Sequence, residues 1–144
     1  MLVQHILAQK PNAAILTIRP ESTVTEAAEL LAEKRVGALI VTRDGKTIDG
    51  ILSERDIVRE LGKRGVASLK DKVSAIMTNT VIACHPGDTA VSVLEKMTDG
   101  RFRHMPVLDQ GRMVGVISIG DVVKARIDEV ESENSALAEM IAGH

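Results

Sequence analysis

The chain has 144 residues, of which 44 % are hydrophobic and 26 % charged, as is typical of a soluble globular protein. Its formal net charge of −2 provides no general attraction to nucleic acid, and no apolar stretch approaches the ~20 residues that span a bilayer. A single cysteine, Cys84, excludes an intramolecular disulfide and favours a reducing, cytoplasmic location, and the N-terminal residues do not resemble a signal peptide.

The first half of the chain predicts alternating helices and strands. Pro11 ends an amphipathic N-terminal helix, Thr23-Val24-Thr25-Glu26 has the pattern of a capping box, and Asp44-Gly45 is a hairpin signal that also fits a longer loop. In chain order the predicted elements are a helix over 2–9, a strand over 14–18, a helix over 23–34, strands over 38–41 and 48–52, and a helix over 54–61.

The second half predicts the same series after an exposed basic linker over residues 62–72. Its elements are a helix over 73–77, a strand over 80–84, a helix from Thr89, strands over 105–108 and 113–117, and a helix from Ile119 onward. Residues 20–23 recur as 86–89, and residues 50–56 recur as 115–121. Because a copy of about 60 residues folds only marginally alone, we expect two copies around a pseudo-twofold axis, with a shared core and paired grooves.

The repeated motif places a serine and an aspartate at the start of a helix. Asp56 follows Ser53 by three residues, and Asp121 follows Ser118 in the same way. A carboxylate in the first helical turn can accept hydrogen bonds from a vicinal diol such as that of ribose, and the helix N-terminus favours an anion. The alternative is structural, since Ser-x-x-Asp also caps a helix and complements its dipole. Both roles can hold at once.

A basic segment over residues 101–106, Arg-Phe-Arg-His-Met-Pro, precedes a predicted strand of the second copy. Guanidinium groups suit phosphate, and His104 can add a donor that gains charge near its usual pKa of ~6.5. The alternative is a solvated basic turn between helix and strand. At this place in the first copy, Gly-Ala replaces Arg-His. The two grooves are therefore not chemically equal.

Beyond the second copy, six residues recur at spacings of four, three, four, three and four. This stripe consists of Val123, Ile127, Val130, Asn134, Leu137 and Ile141. A single polar residue such as Asn134 can fix the register of a coiled coil. The pattern predicts a helix that packs across a homodimer interface; the alternative is a helix that packs back on its own domain.

Together these features resemble a pair of cystathionine-β-synthase (CBS) domains, a tandem module that commonly binds adenine nucleotides. The resemblance covers residues 1 to about 127 and rests on the doubled Gly-h-h-Ser-x-x-Asp motif, the Val-Gly-Ala-Leu-Ile-Val and Arg-His-Met-Pro-Val-Leu strands, and Ile76-Met77-Thr78. It implies an α+β fold of two β-α-β-β-α CBS motifs around a pseudo-twofold axis, a Bateman-type module. The implied divisions are 1–68 for the first motif, 69–128 for the second and 129–144 for a C-terminal helix. The sequence is most similar to small stand-alone bacterial modules.

The resemblance implies that each cleft joins the aspartate of one copy to segments of the other. For the cleft of Asp56 it implies Ser53, Asp56, Thr80, Val81, Ile82, Phe102, Arg103, His104, Met105 and Pro106. For the cleft of Asp121 it implies Ala14, Ile15, Leu16, Val36, Gly37, Ala38, Ser118 and Asp121. The aspartates would bind ribose, and Arg103 and His104 would bind phosphate. The strand that opens each copy would read adenine through backbone groups; the alternative is that these are plain core strands.

The resemblance further implies a regulatory, non-enzymatic module whose ligand is AMP, ATP, NAD(H) or S-adenosylmethionine. Its binding would shift the population of arrangements that a partner protein or enzyme senses. No required cofactor, metal or membrane is expected. Two alternatives stay open: a small nucleotide-acting enzyme, and a nucleic-acid-binding protein that uses Lys63, Arg64, Lys70 and Lys72. The absence of Trp and Tyr from the sequence argues against stacking on single strands.

Overall fold

Helices and strands occur twice in a similar order along the chain, which produces the α+β fold that the sequence predicts. The computed structural model describes residues 1–10 and 15–143. The first series is α1 (Val3–Gln9), β1 (Thr17–Ile18), α2 (Val24–Lys34), β2 (Ala38–Val41), β3 (Gly50–Ser53) and α3 (Glu54–Arg64). After a 3₁₀ helix over Gly65–Lys70, the second series is α4 (Val73–Ile76), α5 (Ala90–Gly100), β4 (His104–Asp109), β5 (Arg112–Ser118) and α6 (Ile119–Ala142).

The two copies differ in their sheets. β1 pairs in parallel with β2, and β2 pairs antiparallel with β3, whereas the second copy has the antiparallel pair β4–β5. The predicted strand over 80–84 is wrong, because within that segment Cys84 alone forms a bridge, in parallel to Val107. Residues 80–82 line a cavity instead, and no strand among the described residues pairs with them.

The two short leading helices, α1 and α4, each dock on the opposite copy. The amide of Val3 donates to the Asp88 carbonyl at 2.9 Å, and the amide of Val73 donates to the Ser22 carbonyl at 2.7 Å. Helices of seven and four residues are too short to be stable alone, so they require packing against another element. This reciprocal docking of α1 and α4 therefore joins the two halves through backbone hydrogen bonds as well as through side chains.

Two hydrophobic clusters form instead of the single shared core that the sequence predicts. One cluster combines Val3 and Ile6 of α1 with side chains from α5, β4, β5 and α6. The other combines Val73 and Ile76 of α4 with side chains from β1, α2, β2, β3 and α3. Each copy thus completes its own core with the leading helix of the other copy, which explains why neither half is a separate packing unit.

The linker over 62–72 is mostly exposed, as predicted, and it is helical for most of its length. α3 continues to Arg64, and the 3₁₀ helix Gly65–Lys70 follows directly. Ser68 within it is fully buried. The Arg64 guanidinium donates to the carboxylates of Glu60 and Asp71, which offsets positive charge in the segment that the nucleic-acid alternative would use.

The last helix, α6, contacts the second copy only through its first turns among the residues described. Val122 and Ala125 are buried against that copy. The predicted stripe lies on the exposed side of the helix, where Ile127 is 51 % exposed and Leu137 is 56 % exposed. Along the stripe, α6 therefore does not pack back on its own domain. Neither α6 nor another helix within residues 1–10 and 15–143 is long and apolar enough to cross a membrane.

Candidate functional site

A cavity of about 280 Å³ lies beside Asp56, near the start of α3, and we term it the Asp56 cleft. Its volume is close to the lower end of the range for ligand cavities, about 300–1,000 Å³. Besides Asp56, the predicted residues that line it are Ser53, Thr80, Val81, Ile82, Phe102, Arg103 and His104. The fold thus brings the aspartate of the first copy together with two segments of the second.

Asp56 combines a structural role with a contact to a basic side chain. Its Oδ2 atom accepts from the Ser53 amide at 2.9 Å and from the Ser53 hydroxyl at 3.1 Å, within a complete capping box. Its Oδ1 atom accepts from the Arg59 guanidinium at 2.6 Å. The Asp56 side chain is 8 % exposed, whereas Arg59 is 52 % exposed. The capping role is therefore present, and it leaves Oδ1 with a partner that solvent can replace.

Basic side chains dominate the Asp56 cleft. Arg55 and Arg59 line it from α3, Arg101 and Arg103 from the turn before β4, and His104 from the first residue of β4. Burial lowers the pKa of His104, so its imidazole is neutral at pH 7. The four guanidinium groups stay charged and outnumber the one carboxylate among the described lining residues. Such a donor set suits phosphate groups.

A second cavity, of about 390 Å³, lies beside Asp121 and is the Asp121 cleft. The predicted residues that line it are Leu16, Val36, Gly37, Ala38, Ser118 and Asp121. Here Lys10 donates to Asp121 Oδ2 at 3.0 Å and to the Val116 carbonyl at 2.7 Å. The Ser118 amide also donates to Asp121 Oδ2, at 2.8 Å.

Asp121 stays ionised because its hydrogen bonds outweigh its burial. Desolvation alone would raise the pKa of the Asp121 carboxyl. The Ser118 amide and the Lys10 ammonium lower it by more, so the net shift of the pKa is downward. The Asp121 cleft therefore contains a charged carboxylate that a side chain of the protein already neutralises.

Three predicted site residues line neither cleft, and a fourth lies outside the described residues. Met105 is fully buried in the hydrophobic cluster of the second copy, and Pro106 beside it is buried too, with its carbonyl bonded to the Cys84 amide. Ile15 lines a separate hollow, because neighbouring residues of an extended chain point in opposite directions and Leu16 takes the cleft side. Ala14 lies outside the described residues.

Six charged residues that line the clefts were not among the predicted site residues, although Arg101 belongs to the basic segment over 101–106 that the sequence singled out. They are Arg55, Arg59 and Arg101 in the Asp56 cleft, and Lys10, Arg35 and Glu54 in the Asp121 cleft. A signal for Arg59 existed, since residues three apart on a helix are neighbours and Arg59 follows Asp56 at that spacing. Lys10 carried no local signal, because its carbonyl partner Val116 is 106 residues away in the sequence.

Comparison with known proteins identifies the family of this fold. The CBS domain model matches residues 4–63 and 73–128. The chain belongs to the CBS-domain family. The solved structure of the CBS-domain containing protein ATU1752 from Agrobacterium tumefaciens is 42 % identical, with a TM-score of 0.84 over 88 % of this chain and 99 % of that one. The CBS domain protein PAE2072 from Pyrobaculum aerophilum, solved in complex with AMP, is 27 % identical, with a TM-score of 0.73 over 84 % and 89 % of the two chains.

Some CBS relatives are longer than this chain. The mitochondrial CBS domain-containing protein CBSX3 of Arabidopsis thaliana is 37 % identical over 127 residues, which are 85 % of this chain and 62 % of CBSX3. The match to CBSCBSPB2 of the same plant covers 24 % of that protein. The chain therefore spans less than two thirds of the length of these curated relatives.

The chemistry that these CBS clefts offer is hydrogen bonding and charge. No cluster of three His, Cys, Asp or Glu side chains that could hold a metal ion occurs in the part of the chain that the structure describes. Cys84 is fully buried, and desolvation raises the pKa of its thiol to about 11, so a thiolate does not form at neutral pH. What the clefts present is carboxylate acceptors for hydroxyl groups and guanidinium donors for phosphate groups.

Proposed function

We propose that this CBS pair is a regulatory module that binds an adenosine nucleotide in the Asp56 cleft. The observation that carries the proposal is a carboxylate at a helix start that shares one cavity with four arginines. A carboxylate suits the hydroxyls of ribose, and guanidinium groups suit phosphates, so the pair of features fits one molecule that bears both. The candidates are AMP, ATP, NAD(H) and S-adenosylmethionine. Because guanidinium groups bind phosphate, the arginines favour AMP, ATP and NAD(H) over S-adenosylmethionine, which carries no phosphate.

In this proposal the ribose takes the place of Arg59 at Asp56. Arg59 can then turn to the phosphate alongside Arg103, so one charge pair replaces another. Arg59 is 52 % exposed, so water can solvate its guanidinium when it leaves, and the ribose hydroxyls replace its hydrogen bond to the buried Oδ1. The capping bonds from Ser53 to Oδ2 hold the carboxylate in place while Oδ1 changes partner.

The adenine base would lie against residues 80–82. Among the described backbone hydrogen bonds outside helices and strands, none uses the amides or carbonyls of these three residues, whereas Cys84 bonds to β4 on either side. Their backbone groups are therefore open to the edge of a base. Val81, Ile82 and the ring of Phe102 provide the apolar surface of the same cavity. The CBS relative that was solved with AMP supports this class of ligand.

The proposed output is a shift in the arrangement of the two copies. A ligand in the Asp56 cleft would contact α3 of the first copy and the segment before β4 of the second, and would favour the arrangements that make both contacts. A partner protein or enzyme would sense the change, and the chain itself would be non-enzymatic. We further propose a homodimer through the exposed stripe of α6, and a cytoplasmic setting from its single cysteine.

The test is a titration of purified protein with AMP, ATP, NADH, S-adenosylmethionine and GTP by calorimetry and thermal shift. One or more of the adenosine ligands should bind, and Asp56→Ala should weaken that binding by at least about tenfold. Asp109→Ala is the matched control, because Asp109 is exposed at the end of β4 and lines neither cleft. An Asp56→Ala protein that folds and keeps full affinity would refute the site.

The same sample separates the two alternatives. Chromatography of each ligand after incubation should show no product; turnover that Asp56→Ala abolishes would favour the nucleotide-acting enzyme. A gel shift at low salt should show no complex with DNA or RNA. A complex that disappears when salt is added would favour nucleic-acid binding.

A further inference from the structure

A lysine that follows α1 holds the carboxylate of the second cleft. We propose that Lys10 closes the Asp121 cleft to ribose, so that the chain takes its nucleotide in the Asp56 cleft alone. The inference rests on the proposed function, because it uses the same recognition of a ribose diol by a motif aspartate. It adds a residue that sets how many nucleotides the chain binds.

Lys10 engages one of the two carboxylate oxygens of Asp121 that a bidentate contact with a ribose diol would use. Its ammonium donates to Asp121 Oδ2 at 3.0 Å and to the Val116 carbonyl at 2.7 Å, and this oxygen of Asp121 also accepts from the Ser118 amide. Because Lys10 itself lines the cleft, its side chain takes up part of the space beside the carboxylate. A ribose hydroxyl at Oδ2 would have to compete with a full positive charge, and the described contacts leave Oδ1 alone to the diol.

The two aspartates differ in how readily they can exchange partners. At Asp56 the basic partner is Arg59, which is 52 % exposed and one helical turn away on the same helix. At Asp121 the partner is Lys10, which is 26 % exposed and also bonded to a backbone carbonyl. Release of Lys10 would break two bonds at once and leave the Val116 carbonyl without this donor. Lys10 is therefore harder to displace from Asp121 Oδ2 than Arg59 is from Asp56 Oδ1.

The other cleft provides the comparison that isolates Lys10. No lysine is among the described residues that line the Asp56 cleft. Lys10 lines the Asp121 cleft, and Thr80 lines the Asp56 cleft. Thr80 has no positive charge and does not reach across to Asp56 among the described contacts. Lys10→Thr therefore removes the ammonium group from the Asp121 cleft and introduces a residue type that the Asp56 cleft contains.

The experiment measures nucleotide binding at the Asp121 cleft with the Asp56 cleft disabled. AMP and ATP are titrated by calorimetry into Asp56→Ala and into the double variant Asp56→Ala/Lys10→Thr. The double variant should bind one nucleotide per chain, at least about tenfold more tightly than Asp56→Ala. A second double variant, Asp56→Ala/Lys10→Gln, keeps most of the length of the lysine side chain without its charge and repeats the test. Circular dichroism confirms that each protein is folded.

The outcomes separate this inference from the proposed function. If neither double variant binds nucleotide more tightly than Asp56→Ala does, Lys10 does not close the cleft. A weaker affinity would show instead that Lys10 holds the ligand, and would overturn the inference as well. If the wild-type chain binds no nucleotide but the Lys10 variants gain a site, the Asp56 assignment fails and the role of Lys10 stands.

Discussion

The His104 imidazole packs directly on Gly37, with Nε2 only 2.9 Å from the position that a Cβ of Gly37 would occupy. His104 begins β4 of the second copy, and Gly37 immediately precedes β2 of the first. His104 also lines both clefts. The contact therefore joins the segment of each copy that lines the cleft of the other, and a side chain at position 37 would fit only if the His104 ring moved.

Substitution of Gly37 should disturb this contact. In Gly37→Ala the new methyl group would displace the His104 ring, and overpacking of this kind costs about 1–3 kcal/mol. We expect a lower melting temperature and a severalfold weaker nucleotide affinity in calorimetry. Gly62→Ala is the control, because Gly62 lies within α3 with open space around it. That change should stabilise the fold by about 0.5–1 kcal/mol; equal effects of the two substitutions would contradict the close contact.

His104 should make stability depend on pH in the mildly acidic range. Burial lowers the pKa of His104 in the folded state, and the positive charges of Lys10 and Arg103 lower it further. The carboxylates of Glu54 and Asp121 oppose this shift without reversing it. The unfolded chain therefore binds the proton first, so the contribution to stability is present above the unfolded pKa of ~6.5 and is lost as the pH falls below it. His104→Gln should flatten the melting temperature between pH 7.5 and about pH 5.5 relative to the wild type. Parallel curves for the two proteins would show that His104 is not responsible.

Met105 should affect stability rather than ligand binding. Its side chain is fully buried in the cluster of the second copy and lines neither cleft. Met105→Ala should lower the free energy of unfolding in urea by about 2–5 kcal/mol. Met140→Ala, at a position that is 67 % exposed on α6, should change it by less than about 0.5 kcal/mol. A Met105→Ala protein that is as stable as the wild type but binds nucleotide more weakly would support the sequence-based prediction that Met105 lines the Asp56 cleft.

The stripe on α6 should determine the oligomeric state. Ile127 and Leu137 are exposed in the single chain, and apolar side chains at heptad spacing are stabilised when a second helix covers them. The wild type should sediment as a dimer at micromolar concentration, and Ile127→Glu/Leu137→Glu should raise the dissociation constant by at least about tenfold. Ser132→Glu lies on the opposite side of the heptad and should leave the dimer intact. A wild-type chain that sediments as a monomer would rule out the proposed homodimer.

Local patterns in the sequence were sufficient for most elements and for part of the clefts. The repeated motif predicted two helix starts, and both have complete capping boxes, because capping depends on residues only three positions apart. The doubling of the motif indicated the CBS fold, which the family match confirms. The strand over 80–84 was wrong because β-propensity cannot say whether a partner strand lies alongside.

What the tertiary structure alone decided are the contacts between residues far apart in the chain. Each of the short helices α1 and α4 packs against the opposite copy. The sequence could not predict this, because the pattern of a helix shows that one face is apolar but not which surface covers it. The pairing of Lys10 with Asp121 and the approach of His104 to Gly37 likewise follow from packing of the two copies. Sequence spacing therefore determined what each half of this CBS pair is, and packing between the halves decided how its two clefts differ.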